Sequence, residues 1–103
     1  MFNLHNPNNI IMKSLYKNCN YNYCSETVSF NGNKFKIESK NGNSYCRTII
    51  YIYTKNGELA EIACGSDLNG HKYVNYVSSE EKRLKETLEN IELAKKYIKA
   101  IYK

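Results

Sequence analysis

Asn31-Gly32, Asn41-Gly42 and Asn56-Gly57 recur at nearly even spacing in this chain. Asn and Gly reach the positive φ angles that tight hairpin turns require. β-branched and aromatic runs lie between and around these steps, including T-V-S-F, K-F-K-I-E and Y-C-R-T-I-I-Y-I-Y. The pattern predicts a four-stranded antiparallel meander, with strands near 26–31, 34–40, 44–54 and 58–64.

Side chains alternate across a strand, so turn length decides which residues share a face. A two-residue turn at Asn31-Gly32 or Gly32-Asn33 puts Val28, Phe30, Phe35 and Ile37 together. The same two choices at the second turn add Cys46, Thr48, Ile50 and Ile52. The third turn is a fork. A two-residue Asn56-Gly57 turn turns Glu61 and Ala63 inward. A three-residue Lys55-Asn56-Gly57 loop with Gly57 left-handed turns Ala60, Ile62 and Cys64 inward. Burying an unpaired Glu costs several kcal/mol, about the worth of one or two buried aliphatic side chains, so the second register is expected. The opposite face then carries Tyr45, Arg47, Ile49, Tyr51 and Tyr53, flanked by Lys34, Lys36 and Glu61.

From Ser78 onward the period changes to 3.6. Leu84, Leu88, Ile91, Ala94 or Lys95, Ile98 and Ile101 form an apolar stripe. Ser78 and Glu81 have capping-box spacing. Glutamates cluster early and lysines late, as the helix dipole favours. Glu81–Lys85 and Glu92–Lys96 are expected i,i+4 pairs. Asn8 to Lys17, after Pro7, is read as a short helix with Ile11, Met12 and Leu15 as its apolar side, and Cys19 to Cys24 as a loop. Asp67 to Gly70 is a turn, and His71 to Val77 can add a fifth, edge strand. The expected fold is therefore α+β: one domain over 1–103, with an N-terminal helix and loop (1–25), a four-stranded antiparallel sheet (26–64; five strands with the edge), a linking turn (65–77) and one long helix (78–102) packed on the sheet.

Composition narrows the function classes. No apolar run approaches the roughly 20 residues that cross a bilayer. The first residues, M-F-N-L-H-N-P-N-N, lack the basic start and apolar block of a signal peptide, so a cytoplasmic location is expected. The net charge of +5 suits an acidic partner or nucleic acid, and also plain solubility. The 15 Asn, 13 Lys and 10 Tyr residues are coded by AT-rich triplets, which points to a low-GC bacterium, its phage or another mobile element.

Chemistry-bearing groups are sparse. Cys19, Cys24, Cys46 and Cys64 number enough for one zinc ion, but structural sites use two close pairs and this chain has one C-x4-C and two singletons, so no metal is expected. A Cys19–Cys24 disulfide fits the spacing, but a reducing cytosol favours four thiols. Cys64, Asp67 and His71 fall within eight residues and are the best candidate for nucleophilic catalysis. Cys64 is expected to face the core, and sequence proximity does not create triad geometry, so no catalytic residue is assigned. Most carboxylates lie on the helix, where solvation explains them. The five glycines read as turn glycines, with no phosphate loop and no cofactor implied.

The functional candidate is thus the face bearing Tyr45, Arg47, Tyr51, Tyr53, Lys34 and Lys36. Tyr and Arg are favoured at protein–protein hot spots, and aromatics interleaved with cations can hold nucleic acid. Tyr also simply suits a strand. Two arginines are few for base readout, and no RNP-type sequence occurs. In size, bias and layout the chain resembles small phage- or mobile-element-encoded inhibitors of bacterial defence, of the anti-CRISPR type. That resemblance implies a non-enzymatic inhibitor that occludes a host protein or ribonucleoprotein. The two alternatives are a nucleic-acid-binding module on the same face and a small enzyme built on Cys64 and His71. An exposed sheet edge plus an aromatic face also leaves a homodimer open as an arrangement.

Overall fold

Asn31 and Gly32 both adopt positive φ, at 50° and 82°. This is the two-residue type I′ turn whose twist matches its flanking strands. The computed structural model describes residues 11–41, 46–75 and 77–103. It contains β1 (Lys13–Cys19), β2 (Tyr23–Phe30), β3 (Asn33–Asn41), β4 (Cys46–Tyr53), β5 (Leu59–Cys64) and the helix α1 (Glu80–Ile101). The strands form one antiparallel sheet in the order β1-β2-β3-β4-β5. The chain is α+β, as the sequence indicates.

The meander follows the expected parity. Val28 lies opposite Phe35, Ile37 opposite Ile50 and Phe35 opposite Ile52. Asn41 pairs with Cys46, so residues 42–45 connect β3 and β4. This connection is two residues longer than a tight turn, which shifts the register by two and keeps the same side chains inward. The structure of the second Asn-Gly turn, the site residue Tyr45 and the placement of the Cys46 side chain lie outside the described residues. At the third turn the three-residue loop is found. Gly57 has φ 80°, its N–H donates to the Thr54 carbonyl at 2.9 Å, and Ile52 lies opposite Ala60.

Two expectations about the ends of the sheet are corrected. Lys13 to Lys17, read as the end of a short helix, lie in strand β1, and Asn8 to Ile10 lie outside the described residues. Ile11, Met12 and Leu15 do not share a helical face. The segment instead pairs with β2, where Tyr16 meets Thr27 and Lys17 meets Glu26 around a bulge at Leu15. Cys19 to Cys24 is a hairpin rather than an open loop. Asn20 Oδ1 accepts from the N–H groups of Asn22 and Tyr23, and Cys19 and Cys24 face each other and are joined by a disulfide. The expected pair of thiols at these positions is therefore absent. The fifth strand is β1; residues 71–75 form no strand.

α1 packs on β2, β3 and β4. The core joins Val28, Phe30, Phe35, Ile37 and Ile50 to Ile91, Ala94 and Ile98. The helix cap is Ser79 rather than Ser78, with its Oγ accepting from the Lys82 N–H at 3.2 Å. Asn31 closes the other end of the layer by donating to the Tyr102 carbonyl at 2.8 Å, while the Tyr102 ring meets Phe35 edge-on. The buried side of α1 includes Thr87 and Asn90, and Ile101 is exposed. Asn90 holds both backbone groups of Lys72, accepting from its N–H at 2.8 Å and donating to its carbonyl at 2.9 Å. Its amide thus supplies, at Lys72, the backbone pairing that a neighbouring strand would have supplied.

Candidate functional site

The sheet face opposite α1 is set by the same parity. β3 places Lys34, Lys36, Glu38 and Lys40 there, and β4 places Arg47, Ile49, Tyr51 and Tyr53. Five of the six expected site residues therefore share one face: Lys34, Lys36, Arg47, Tyr51 and Tyr53. No described helix or strand packs over it. β1 and β2 extend it with Lys13, Tyr16 and Tyr23.

Charges and rings on this face are already engaged with one another. Lys34 Nζ lies 4.4 Å from the Tyr53 ring centroid, within cation–π range. Lys40 Nζ sits 6.0 Å from the Tyr23 ring. The Tyr23 hydroxyl donates to Glu38 Oε2 at 2.7 Å, and Lys36 Nζ approaches the same oxygen at 3.6 Å. Burial alone would raise the Glu38 pKa, but the Tyr23 hydrogen bond and the Lys36 and Lys40 charges more than offset it, and the carboxyl is held below its ordinary value. Partial burial and then the Glu38 and Glu61 charges push the Tyr51 phenol up. Burial and the hydrogen bond to Glu38 do the same for Tyr23. Both phenols stay protonated and remain able to donate at neutral pH.

The sequence reading missed Glu38, Lys40 and Tyr23 as members. Parity with Lys34 and Lys36 was the signal for the first two. Tyr23 was hidden because Cys19–Cys24 read as a loop.

At the end of the sheet where β5 leaves and β4 enters, the face runs into a cleft of about 870 Å³. Its lining includes Arg47, Ile49, Cys64, Asp67, His71 and Tyr73. A bulge creates it. Tyr51 pairs with Glu61 but Ile50 pairs with Ala63, so Ile62 is an extra residue. Beyond the bulge the parity of β5 reverses. Ala63 turns into the core and Cys64, opposite Ile49, turns to the outer face. Cys64 was expected inside. No sequence signal separates the two outcomes, because Ala63 and Cys64 are both small enough to bury.

The cleft brings Cys64, Asp67 and His71 together without making a nucleophile–base pair. The Cys64 Sγ lies 3.2 Å from Ser66 Oγ. Asp67 Oδ2 accepts from the Cys64 backbone N–H at 2.9 Å rather than from the imidazole. His71 Nε2 lies 2.8 Å from Thr48 Oγ1. A triad needs the carboxylate on the imidazole and the imidazole on the thiol, and neither bond is made here. Gly65 has an ordinary φ, yet a Cβ there would fall 2.8–3.0 Å from the imidazole ring. Glycine is required at this position by the close approach of His71, not by the backbone. Burial pushes the His71 pKa below its ordinary value. Among the described residues no cluster of His, Cys, Asp or Glu is placed to hold a metal ion, and no helix is long and apolar enough to cross a membrane. Compared with family models, curated proteins and solved structures, the chain matches none.

Proposed function

We propose that this is a non-enzymatic binding protein whose outer sheet face docks an acidic protein surface, and that it acts by occlusion, as an inhibitor carried by a phage or mobile element against a host defence protein or ribonucleoprotein of the CRISPR type. The observation that carries the docking reading is the clustering of Lys34, Lys36, Lys40, Arg47, Tyr51 and Tyr53 on a face without a described covering element. Five cations, counting Lys13, stand against the two carboxylates Glu38 and Glu61, so the face is complementary to a negative surface. The defence-inhibitor part rests on the likeness of size, compositional bias and layout.

The side-chain arrangement favours a protein over nucleic acid as the partner. Stacking of bases needs free ring faces. Here Lys34 lies over Tyr53 and Lys40 over Tyr23, while Glu38 places a carboxylate in the middle of the face. Tyrosine hydroxyls, arginine and pre-paired charges match the composition of protein hot spots.

The test is capture from a low-GC bacterial lysate with and without nuclease, followed by binding measurements with the purified partner. Replacing Lys34, Lys36 and Arg47 together by Glu should weaken that binding at least tenfold, and a photo-crosslinker at position 53 should reach the partner. Unchanged affinity of the charge-reversed protein would reject the face. Loss of capture after nuclease treatment would move the reading to nucleic acid. In that case affinity would also fall steeply between 50 and 200 mM salt. A dimer in solution that buries Tyr53 would likewise remove the free face.

A further inference from the structure

Four Asn-Gly steps occur in the chain: Asn31-Gly32, Asn41-Gly42, Asn56-Gly57 and Asn69-Gly70. The pair has a chemistry of its own. The backbone nitrogen of the glycine can attack the side-chain carbonyl of the asparagine, because glycine puts no Cβ in the way. The fold ties a reacting group at three of the steps. Asn31 Nδ2 donates to the Tyr102 carbonyl at 2.8 Å. Asn41 is buried, and its Nδ2 donates to Thr87 Oγ1 at 2.7 Å and to the Tyr21 carbonyl at 3.1 Å. At Asn56 the nucleophile is held instead, since the Gly57 N–H donates to the Thr54 carbonyl at 2.9 Å.

Asn69-Gly70 differs on both counts. Asn69 is exposed, and among the described residues neither its side chain nor the Gly70 N–H makes a hydrogen bond. The step sits in the middle of a turn closed by the His71 N–H on the Leu68 carbonyl at 3.1 Å. Gly70 has φ 90° and Asn69 has no positive φ, which is the type II arrangement. The turn is anchored on both sides. Leu68 is buried in the core, and His71 Nε2 lies 2.8 Å from Thr48 Oγ1. Asn69 lines the cleft beside Asp67.

We propose that Asn69-Gly70 is a self-modifying site, which deamidates in the folded protein while the other three steps are protected. The Gly70 nitrogen loses its proton and forms a bond to Asn69 Cγ. The Cγ–Nδ2 bond breaks, and the amide group leaves with that proton as ammonia. Water then opens the resulting imide ring. Opening at the Cγ–N bond gives aspartate, and opening at the original main-chain carbonyl gives isoaspartate. Water is the only co-reactant, and nothing is oxidised or reduced. Either product puts a carboxylate beside Asp67 in the cleft lining. Isoaspartate also adds one atom to the main chain between Leu68 and His71. A turn anchored on both sides takes up that atom by moving an anchor. The single side-chain hydrogen bond of His71 is weaker than the burial of Leu68, so the imidazole is the one that moves.

The experiment is peptide mapping by mass spectrometry of the full-length protein aged in mildly alkaline buffer, both folded and in concentrated urea, with aspartate and isoaspartate counted at each step. In urea the four steps should react at similar rates. In the folded protein Asn69 should keep its urea rate within about threefold, whereas Asn31 and Asn56 should slow roughly fivefold, as one hydrogen bond allows, and Asn41 more than about tenfold. The rate at Asn69 should rise with pH, because the attacking nitrogen must lose its proton. Asn69→Gln, whose longer side chain would have to close a larger ring, should abolish the change at this turn. The isoaspartate form, separated by its charge, should show displaced His71 ring resonances in NMR. Asn69→Asp, which adds the charge without the extra main-chain atom, should leave those resonances in place.

Protection of Asn69 equal to that of the other three, or faster loss at one of those in the folded protein, would overturn the proposal. A mass change that persists at this turn in Asn69→Gln would do the same. Equal His71 displacement in Asn69→Asp and in the isoaspartate form would overturn the role of the added main-chain atom. None of these readouts uses a partner, so the site stands or falls separately from the docking face.

Discussion

Lys95 of α1 reaches the Glu26 carboxylate of β2 at 2.9 Å, and Glu26 is only 2% exposed although it sits on the apolar side of the sheet. Lys17 of β1 approaches the other carboxylate oxygen at 3.8 Å, and Glu92 also pairs with Lys95. One buried carboxylate therefore ties the edge strand, the sheet and the helix together. Burial alone would lower the Lys95 pKa, but hydrogen bonds and charges from Glu26 and Glu92 outweigh it and hold the ammonium above its ordinary value.

Removing one partner leaves a buried charge. Lys95→Met is expected to destabilise the fold by roughly 3 kcal/mol in urea unfolding, whereas the double variant Glu26→Leu/Lys95→Met should recover most of that loss. A double variant no more stable than the single one would show that the pair is not an isolated charge problem. Because the folded pKa of Lys95 is raised, its contribution is fully present below pH 10.5 and is lost as pH rises through the folded value.

Gly65 and Gly57 should respond to alanine for different reasons. Gly57 has φ 80° with nothing near its missing Cβ, so Gly57→Ala should cost only the backbone term, about 1 kcal/mol. At Gly65 the backbone is ordinary and the Cβ meets the imidazole. Gly65→Ala should move the His71 ring resonances and break the Thr48 contact. Gly57→Ala should leave those resonances in place. Comparison of the two NMR spectra decides the point.

Asn90 anchors the segment that forms one wall of the cleft. Asn90→Leu leaves the Lys72 N–H and carbonyl without the side-chain bonds they make now and should destabilise by about 2–3 kcal/mol. Amide exchange at Lys72 should accelerate more than exchange in the centre of β3, since local opening of 68–75 precedes global unfolding. Uniform acceleration across the sheet would reject this local role.

Two groups make stability fall in acid, with losses that begin at different pH. His71 has a lowered folded pKa, so it has no effect above pH 6.5. Below 6.5 the unfolded chain takes up a proton that the folded chain resists, and stability drops until the folded value is passed. Glu38 also has a lowered folded pKa, so its contribution is present above pH 4.5 and is lost as pH falls through the folded value. His71→Gln should flatten the upper window of a pH–stability curve and Glu38→Gln the lower one. Curves that keep both slopes in both variants would refute the assignment.

Much of the fold was legible because it depends on local rules. Asn31-Gly32 and Gly57 set turns through φ, which put Val28 opposite Phe35 and Ile52 opposite Ala60, while Ile37 still meets Ile50 because the β3–β4 connection is longer than expected by an even number of residues. The helix was legible from its stripe, although Thr87 and Asn90 took buried places and Lys95 turned to a sheet carboxylate rather than to solvent. β1 was not legible. Its residues are nearly all exposed, so no apolar alternation marks them, and a strand held mainly by backbone pairing with a neighbour leaves little pattern in its own sequence.

By itself the sequence determined the first and third turns, the division of the meander into an oily side and a phenol-and-cation side, and the helix that covers the former. These depend on backbone conformation and on periods of two or 3.6 residues. Tertiary structure alone decided where Cys64, His71 and Glu26 went. A bulge opposite Ile50 reversed the end of β5 and put the thiol in the cleft, Gly65 and Thr48 received the imidazole from a linking segment without regular structure, and a helix lysine made a buried glutamate tolerable. Each of those outcomes depends on contacts between segments distant in the chain, where packing and pairing energies outweigh local preference.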